Sequence, residues 1–130
     1  MDSAKDSQLL EEWRNTLQLF RDTSCDLEAV LQEKYDLGVS EFEVLERIWD
    51  FNDEHEDGDN CLLKQLEGQI HLSQSALSRT VTRLVKDQLV ERVTSENDRR
   101  AAQLQLTDAG RERYLAAKPT HREVLHKHFS

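Results

Sequence analysis

The 130-residue sequence has little of what interrupts helices: one proline, Pro119, and four glycines. That scarcity excludes a collagen-like rod and argues against a disordered, low-complexity chain. Two cysteines, Cys25 and Cys61, are too few for a disulfide framework, so a reducing, cytoplasmic setting is expected. No apolar run approaches the roughly 18 residues of a membrane span. The opening MDSAKDSQLLEE lacks the apolar stretch of a secretory signal, and no membrane partner is expected. There is no P-loop, GxGxxG, HExxH or nucleophile elbow, so neither an enzyme nor a bound cofactor is expected.

Basic residues are also scarce, 17 against 26 acidic ones, for a net charge of −9. Their distribution matters more than the total. Residues 1–61 carry −13, whereas 62–106 and 107–130 each carry +2. An anionic partner could therefore approach only the second half.

What is present is helical periodicity. Leu9, Leu10, Trp13, Leu17, Phe20, Leu27, Val30 and Leu31 form one apolar stripe on a long first helix. Ser40 and Glu43 read as a capping box opening a second helix that ends near Asp53. The acidic stretch Glu54–Asn60 reads as a solvated loop. It half-imitates a calcium loop, but His55 and Lys64 stand where oxygen ligands are required. Leu62, Leu63 and Leu66 suggest two helical turns with Gly68 near the C-cap, and Ser73 caps a helix running to about Asp87. Val90 and Val93, a polar centre, then Leu104 and Leu106 read as a β-hairpin. Thr107 caps a further helix, and Pro119-Thr120 is expected to start or kink a last one.

Helix, short helix, tight turn, helix and hairpin is the order of a winged helix-turn-helix. Opposite the apolar stripe of the 73–87 helix lie Gln74, Ser75, Ser78, Arg79, Thr82 and Lys86, with Arg83 beside them and no acid before Asp87. Small hydroxyls let a helix approach base edges, arginine can pair with guanine O6 and N7, and lysine or threonine can hold phosphates. At the hairpin tip, Asp98, Arg99 and Arg100 suit a narrow minor groove, where negative potential is enhanced. These features favour double-stranded DNA as the partner. The competing reading, a winged-helix protein-interaction module or DNA mimic, takes its support from the acidic first half. A mimic would carry acids on the recognition face, and this face is basic.

The run from Ser73 through Gly110 resembles the MarR (multiple antibiotic resistance regulator) family of bacterial transcription factors. The resemblance rests on Asp98-x-Arg100 followed by Leu104-x-Leu106-Thr107-x-x-Gly110. Ser75-Ala76-Leu77-Ser78-Arg79, Arg83-Leu84 and Leu89-Val90-x-Arg92 agree at the right distance, as does Leu37-x-x-Ser40-x-x-Glu43-x-Leu45. It extends over roughly residues 8–128. It implies a mainly α fold with a small β-hairpin wing: helical dimerisation segments at 1–36 and 108–130 around a winged helix-turn-helix at 37–107. It also implies a cytoplasmic homodimer on a pseudo-palindromic operator, commonly a repressor, released by a small phenolic or aromatic ligand or by an oxidant. Ser75, Ala76, Ser78, Arg79 and Thr82 would meet the major groove, and Arg100, helped by Arg99, the minor groove. Ala101 and Ala102 depart from the family pattern. The sequence also ends at Ser130, earlier than is usual in the family, so dimerisation is expected to lean on the first helix.

For a ligand pocket, Trp13, Phe42, Leu45 and Trp49 are the candidate lining, with Arg14 for a carboxylate. Cys25 and Cys61 are the candidate redox thiols, although the acids near both would raise a thiol's pKa and favour structural roles. His126-x-His128 lacks the three- or four-residue spacing of helical ligand pairs, and no metal site is expected.

Overall fold

The computed structural model describes residues 3–54, 61–94 and 102–130. The acidic stretch at 55–60 and the hairpin tip at 95–101 lie outside the described residues. Among the described residues, five helices and three short strands follow one another as α1 (Ser3–Tyr35), α2 (Val39–Glu54), β1 (Cys61–Leu62), α3 (Leu63–Glu67), α4 (Gln74–Lys86), β2 (Val90–Thr94), β3 (Ala102–Leu106) and α5 (Asp108–Phe129). The expected architecture, mainly helical with a small β wing, is the one observed.

The apolar stripe of α1 divides into two parts. Leu27 and Leu31 are buried, and this C-terminal half packs chiefly on α5. Tyr35 Oη and Thr120 Oγ1 meet at 2.7 Å, and Asp26 Oδ2 lies 2.6 Å from His128 Nε2 and 3.3 Å from Lys127 Nζ. The His128 and Lys127 contacts hold the Asp26 carboxyl below its ordinary pKa. Among the described residues, the N-terminal half of α1 is largely uncovered, apart from the contact of Phe20 with His71. Leu9, Leu10, Trp13, Leu17 and Phe20 all stand exposed, Trp13 at 59%.

The start of α2 departs from the capping box expected at Ser40. Ser40 lies inside the helix, and two carboxylates bind the free N–H groups instead. Glu41 Oε1 accepts from the Gly38 N–H at 3.1 Å, and Glu28 Oε2, from α1, accepts from the Val39 N–H at 3.1 Å. A carboxylate both caps and complements the positive helix end, so it does more there than a neutral hydroxyl.

The core lies where α2, α3, α4, α5 and the sheet meet. Phe42, Leu45, Ile48, Leu66, Leu77, Leu84, Leu104 and Tyr114 are all fully enclosed. The hairpin runs in the register Val90↔Leu106, Arg92↔Leu104 and Thr94↔Ala102. A third strand was not expected from the sequence: Cys61–Leu62 pairs with Leu104 and Gln103, giving the antiparallel order β1-β3-β2. A two-residue strand shows no alternation, and only its pairing with β3 defines it.

Two glycines differ in what they do. Gly68 follows α3 as expected, but with right-handed dihedrals (φ −89°, ψ −7°) that any residue can adopt. Gly110 is needed for space, because a Cβ there would lie 2.0 Å from the Leu89 carbonyl oxygen. Thr107 draws the two segments together. Its N–H donates to Leu89 O at 3.1 Å, its hydroxyl donates to Gln88 O at 2.7 Å, and Thr107 Oγ1 also accepts the Gly110 N–H at 3.0 Å. Pro119, expected to start or kink a last helix, lies within α5, which runs unbroken from Asp108 to Phe129. It sits on an exposed face beside exposed Leu115, so the carbonyl it leaves unpaired one turn back can be hydrated.

Candidate nucleic-acid interface

The recognition-type helix α4 is capped by Ser73, whose backbone is extended and whose side-chain oxygen accepts the Ala76 N–H at 3.2 Å. This is the cap expected from the sequence. Leu77, Val81 and Leu84 anchor one side of α4 in the core. Thr80 is buried with them, its hydroxyl donating to Ala76 O at 2.9 Å, which satisfies a polar group that burial would otherwise penalise.

Gln74, Ser75, Ser78, Arg79, Thr82, Arg83 and Lys86 are all exposed on the other side, with Ala76 half-buried at the edge. No acidic residue occurs within α4, and its positive N-terminus adds to the field of the arginines and lysine. Two contacts organise this face from neighbouring elements. Arg92, on β2, donates through Nη2 to Thr82 Oγ1 at 3.0 Å, bringing a further cation beside α4. Arg83 Nη1 lies 3.8 Å from the buried carboxylate of Glu41. Burial raises the Glu41 pKa, while the Gly38 N–H and Arg83 pull it the other way. Sequence reasoning did not place Arg92 in the site. Its strand position was legible, but its reach to Thr82 depends on how β2 packs on α4. Asp98, Arg99 and Arg100 lie outside the described residues; β2 and β3, which lead to them, are in place.

The five residues expected to line a ligand pocket are not gathered in one place. Phe42 and Leu45 have no exposed surface, Trp49 packs on Tyr114 with ring centroids 5.3 Å apart, and Trp13 and Arg14 stand on the exposed half of α1. Their apolar and aromatic character serves the core and an open helix face instead. Among the described residues, a largely apolar cavity of about 730 Å³ lies between α1, α2, the α3–α4 connection and α5. Phe20, Leu27, Glu28, Glu43, His71 and His121 are among its walls.

At the inner edge of this cavity, His121 is buried, stacked on Phe42 with centroids 4.3 Å apart. Its Nδ1 accepts from Arg122 Nη1 at 2.6 Å, and Arg122 also forms a bidentate pair with Glu46. Burial, then the Arg122 charge, hold the His121 pKa below its ordinary value of 6.5. Burial also pushes the nearby Tyr114 hydroxyl up to about 12. Glu43, Glu46 and His121 bring ligand-type atoms within 4.8 Å of one another. Arg122 already occupies two of the three, Glu46 and His121, and a metal ion would have to displace its guanidinium from them.

Cys61 is buried in β1, and burial pushes its thiol up to about 11, which opposes the thiolate that redox sensing needs. Cys25 is exposed on α1, far in sequence from Cys61 and not paired with it. Among the described residues, no helix is long and apolar enough to cross a membrane.

Comparisons with known proteins agree with this geometry. The solved structure of AbsC, a MarR family transcriptional regulator from Streptomyces coelicolor, is 31% identical with a TM-score of 0.77, over 91% of this chain and 76% of that one. A mutant MarR from E. coli, solved in complex with operator DNA, shares the fold at 20% identity and a TM-score of 0.74, over 92% of this chain and 81% of that one. The HTH-type transcriptional regulator BilQ from Clostridioides difficile is 36% identical over 53 residues, 41% of this chain and 36% of that relative's length. The MarR family model matches residues 37–102, just over half of the sequence. On the shared family pattern and the winged helix that carries it, this chain belongs to the MarR family of transcriptional regulators.

Proposed function

We propose that the chain is a homodimeric, sequence-specific DNA-binding regulator that represses from a pseudo-palindromic operator and is released by a small aromatic ligand. The observation that carries this reading is the acid-free, fully exposed face of α4, on a protein whose net charge is −9. On this reading Gln74, Ser75, Ala76, Ser78, Arg79 and Thr82 enter the major groove, with Arg83 and Lys86 toward the phosphates. Asp98, Arg99 and Arg100 of the wing address the minor groove. The E. coli MarR neighbour solved with operator DNA supports the partner class. A protein-only module or a DNA mimic would have no use for this face.

The dimer reading assigns residues 1–36 and 108–130 to the subunit contact. It is supported by the exposed apolar side chains Leu9, Leu10, Trp13 and Leu17 on α1 and Leu115 on α5. Each large side chain covered contributes about 1.5–3 kcal/mol relative to exposure. Ligand release takes support from the cavity between α1, α5 and the winged part.

The test is binding to DNA from the protein's own upstream region beside a random duplex of equal length, across a salt series. Arg79→Ala should lose about 1–3 kcal/mol of sequence discrimination per half-site. Lys86→Ala should weaken both duplexes alike and lower the salt slope by about 1. If both variants bind both duplexes as the wild type does, this assignment of α4 is wrong.

A further inference from the structure

Among the described residues, the walls of the 730 Å³ cavity contain two carboxylates, Glu28 and Glu43, and neither lysine nor arginine. Its volume lies in the range that holds small organic ligands. The two acids are not equivalent. Glu28 is engaged, its Oε2 capping the Val39 N–H at 3.1 Å and its Oε1 receiving the Gln32 amide at 3.4 Å. Glu43 has one charged-group contact among the described residues, His121 Nε2 at 4.0 Å, too long for a hydrogen bond.

That imidazole does not neutralise Glu43. Its Nδ1 accepts from Arg122, and both burial and the guanidinium disfavour a second proton on the ring. Arg122 in turn is committed to Glu46. Arg47 and Arg122 act on Glu43 only at a distance, against the opposing charges of Glu46 and Asp50, and desolvation dominates the balance. Glu43 is therefore a half-buried carboxylate facing a largely apolar cavity without a countercharge in contact. Aromatic walls stand in the same cavity: Phe20 meets His71 edge-on at 5.7 Å between centroids, and Phe129 lines it as well. Such rings favour a cation over their faces.

We infer that this cavity selects an organic cation, a protonated amine on an aromatic or branched apolar body, with the ammonium on Glu43 and the body among Phe20, Leu27, Leu125 and Phe129. This rests on the ligand-release reading above and goes further by fixing the effector's charge. An aromatic carboxylate would meet two acids and no cation, so anionic aromatics are rejected here. A neutral alcohol of the same shape can donate a hydrogen bond to Glu43 but brings no charge.

The experiment uses three probes with one body and three charges: 1-naphthylmethylammonium, 1-naphthylmethanol and 1-naphthoate, titrated calorimetrically into the full chain at neutral pH. The ammonium should bind about tenfold or more tighter than the alcohol, as a charge-assisted contact does, and naphthoate weakest of all. Glu43→Gln, a half-exposed and nearly isosteric change, should bring ammonium and alcohol to within about twofold of each other. Filling the cavity with Ser24→Trp should abolish binding of both. The inference is overturned if naphthoate binds as tightly as the ammonium, if Glu43→Gln leaves the preference intact, or if none of the probes binds at millimolar concentration. DNA binding measured with each probe separates the two claims. An ammonium that binds through Glu43 without changing DNA affinity upholds the cavity's selectivity and refutes ligand release. A naphthoate that releases DNA does the reverse.

Discussion

Replacing Gly110 by alanine should destabilise the protein even though alanine is the better helix former. In an ordinary helix the exchange would stabilise by about 1 kcal/mol. Here the new methyl would sit 2.0 Å from the Leu89 carbonyl oxygen, a distance that side chains do not reach. The obstacle is backbone, so no rotamer change relieves it. Either α5 moves by about 1 Å against the hairpin, an overpacking cost of about 3 kcal/mol, or the start of α5 swings away. Swinging would sacrifice the Thr107 N–H bond to Leu89 and the Thr107 hydroxyl bond to Gln88, about 1 kcal/mol each, together with local packing. Subtracting the helix preference leaves about 2 kcal/mol, which for a chain of this length lowers Tm by about 6–10 °C. The assay is thermal unfolding by circular dichroism at fixed protein concentration, since oligomerisation makes Tm depend on it. Gly68→Ala is the internal control: nothing lies within 4 Å of its Cβ and its dihedrals suit alanine, so it should be neutral or stabilising by about 0.4–1 kcal/mol. A Gly110→Ala protein melting within about 2 °C of wild type, alongside Gly68→Ala, would refute the close-approach argument.

Two further expectations concern the buried imidazole and the cation brought by β2. Because the folded-state pKa of His121 lies below 6.5, the unfolded chain takes up its proton more readily. The contribution to stability is thus present above pH 6.5 and is lost as pH falls from there toward the depressed folded value. The raised pKa values of Glu41 and Glu43 act with the opposite sign, favouring the folded state as pH falls through them toward 4.5. In His121→Phe, which keeps a ring on Phe42, the decline of Tm just below pH 6.5 should be shallower than in wild type; equal slopes would exclude His121 as its source. Arg92→Ala should change stability by no more than about 0.5 kcal/mol, yet lower the salt slope of DNA binding by about 1. An unchanged slope would mean that the Arg92 contact with Thr82 is structural only.

Much of the architecture follows from local patterns that need no tertiary partner. The long first helix, the Ser73 cap, the polar face of α4 and the alternation on both sides of the hairpin are written in spacings of three, four and two residues. Each depends on which neighbours along the chain share a face. For the same reason the exposed residues of α4 were legible: a helix anchored by Leu77, Val81 and Leu84 must turn Ser78, Arg79, Thr82 and Lys86 outward. What the sequence could not reveal depends on contacts between distant segments. The capping of α2 passes from Ser40 to Glu28 and Glu41 because α1 delivers a carboxylate to the helix start. β1 exists only beside β3. Pro119 continues a helix because its face is open to water. The cavity forms where α1 and α5 converge on α2, and that convergence places Phe42 and Leu45 in the core while opening a cavity on Glu43 and His121. Spacing along the chain determines which residues share a surface; the packing of one surface on another decides which stay open and what faces them.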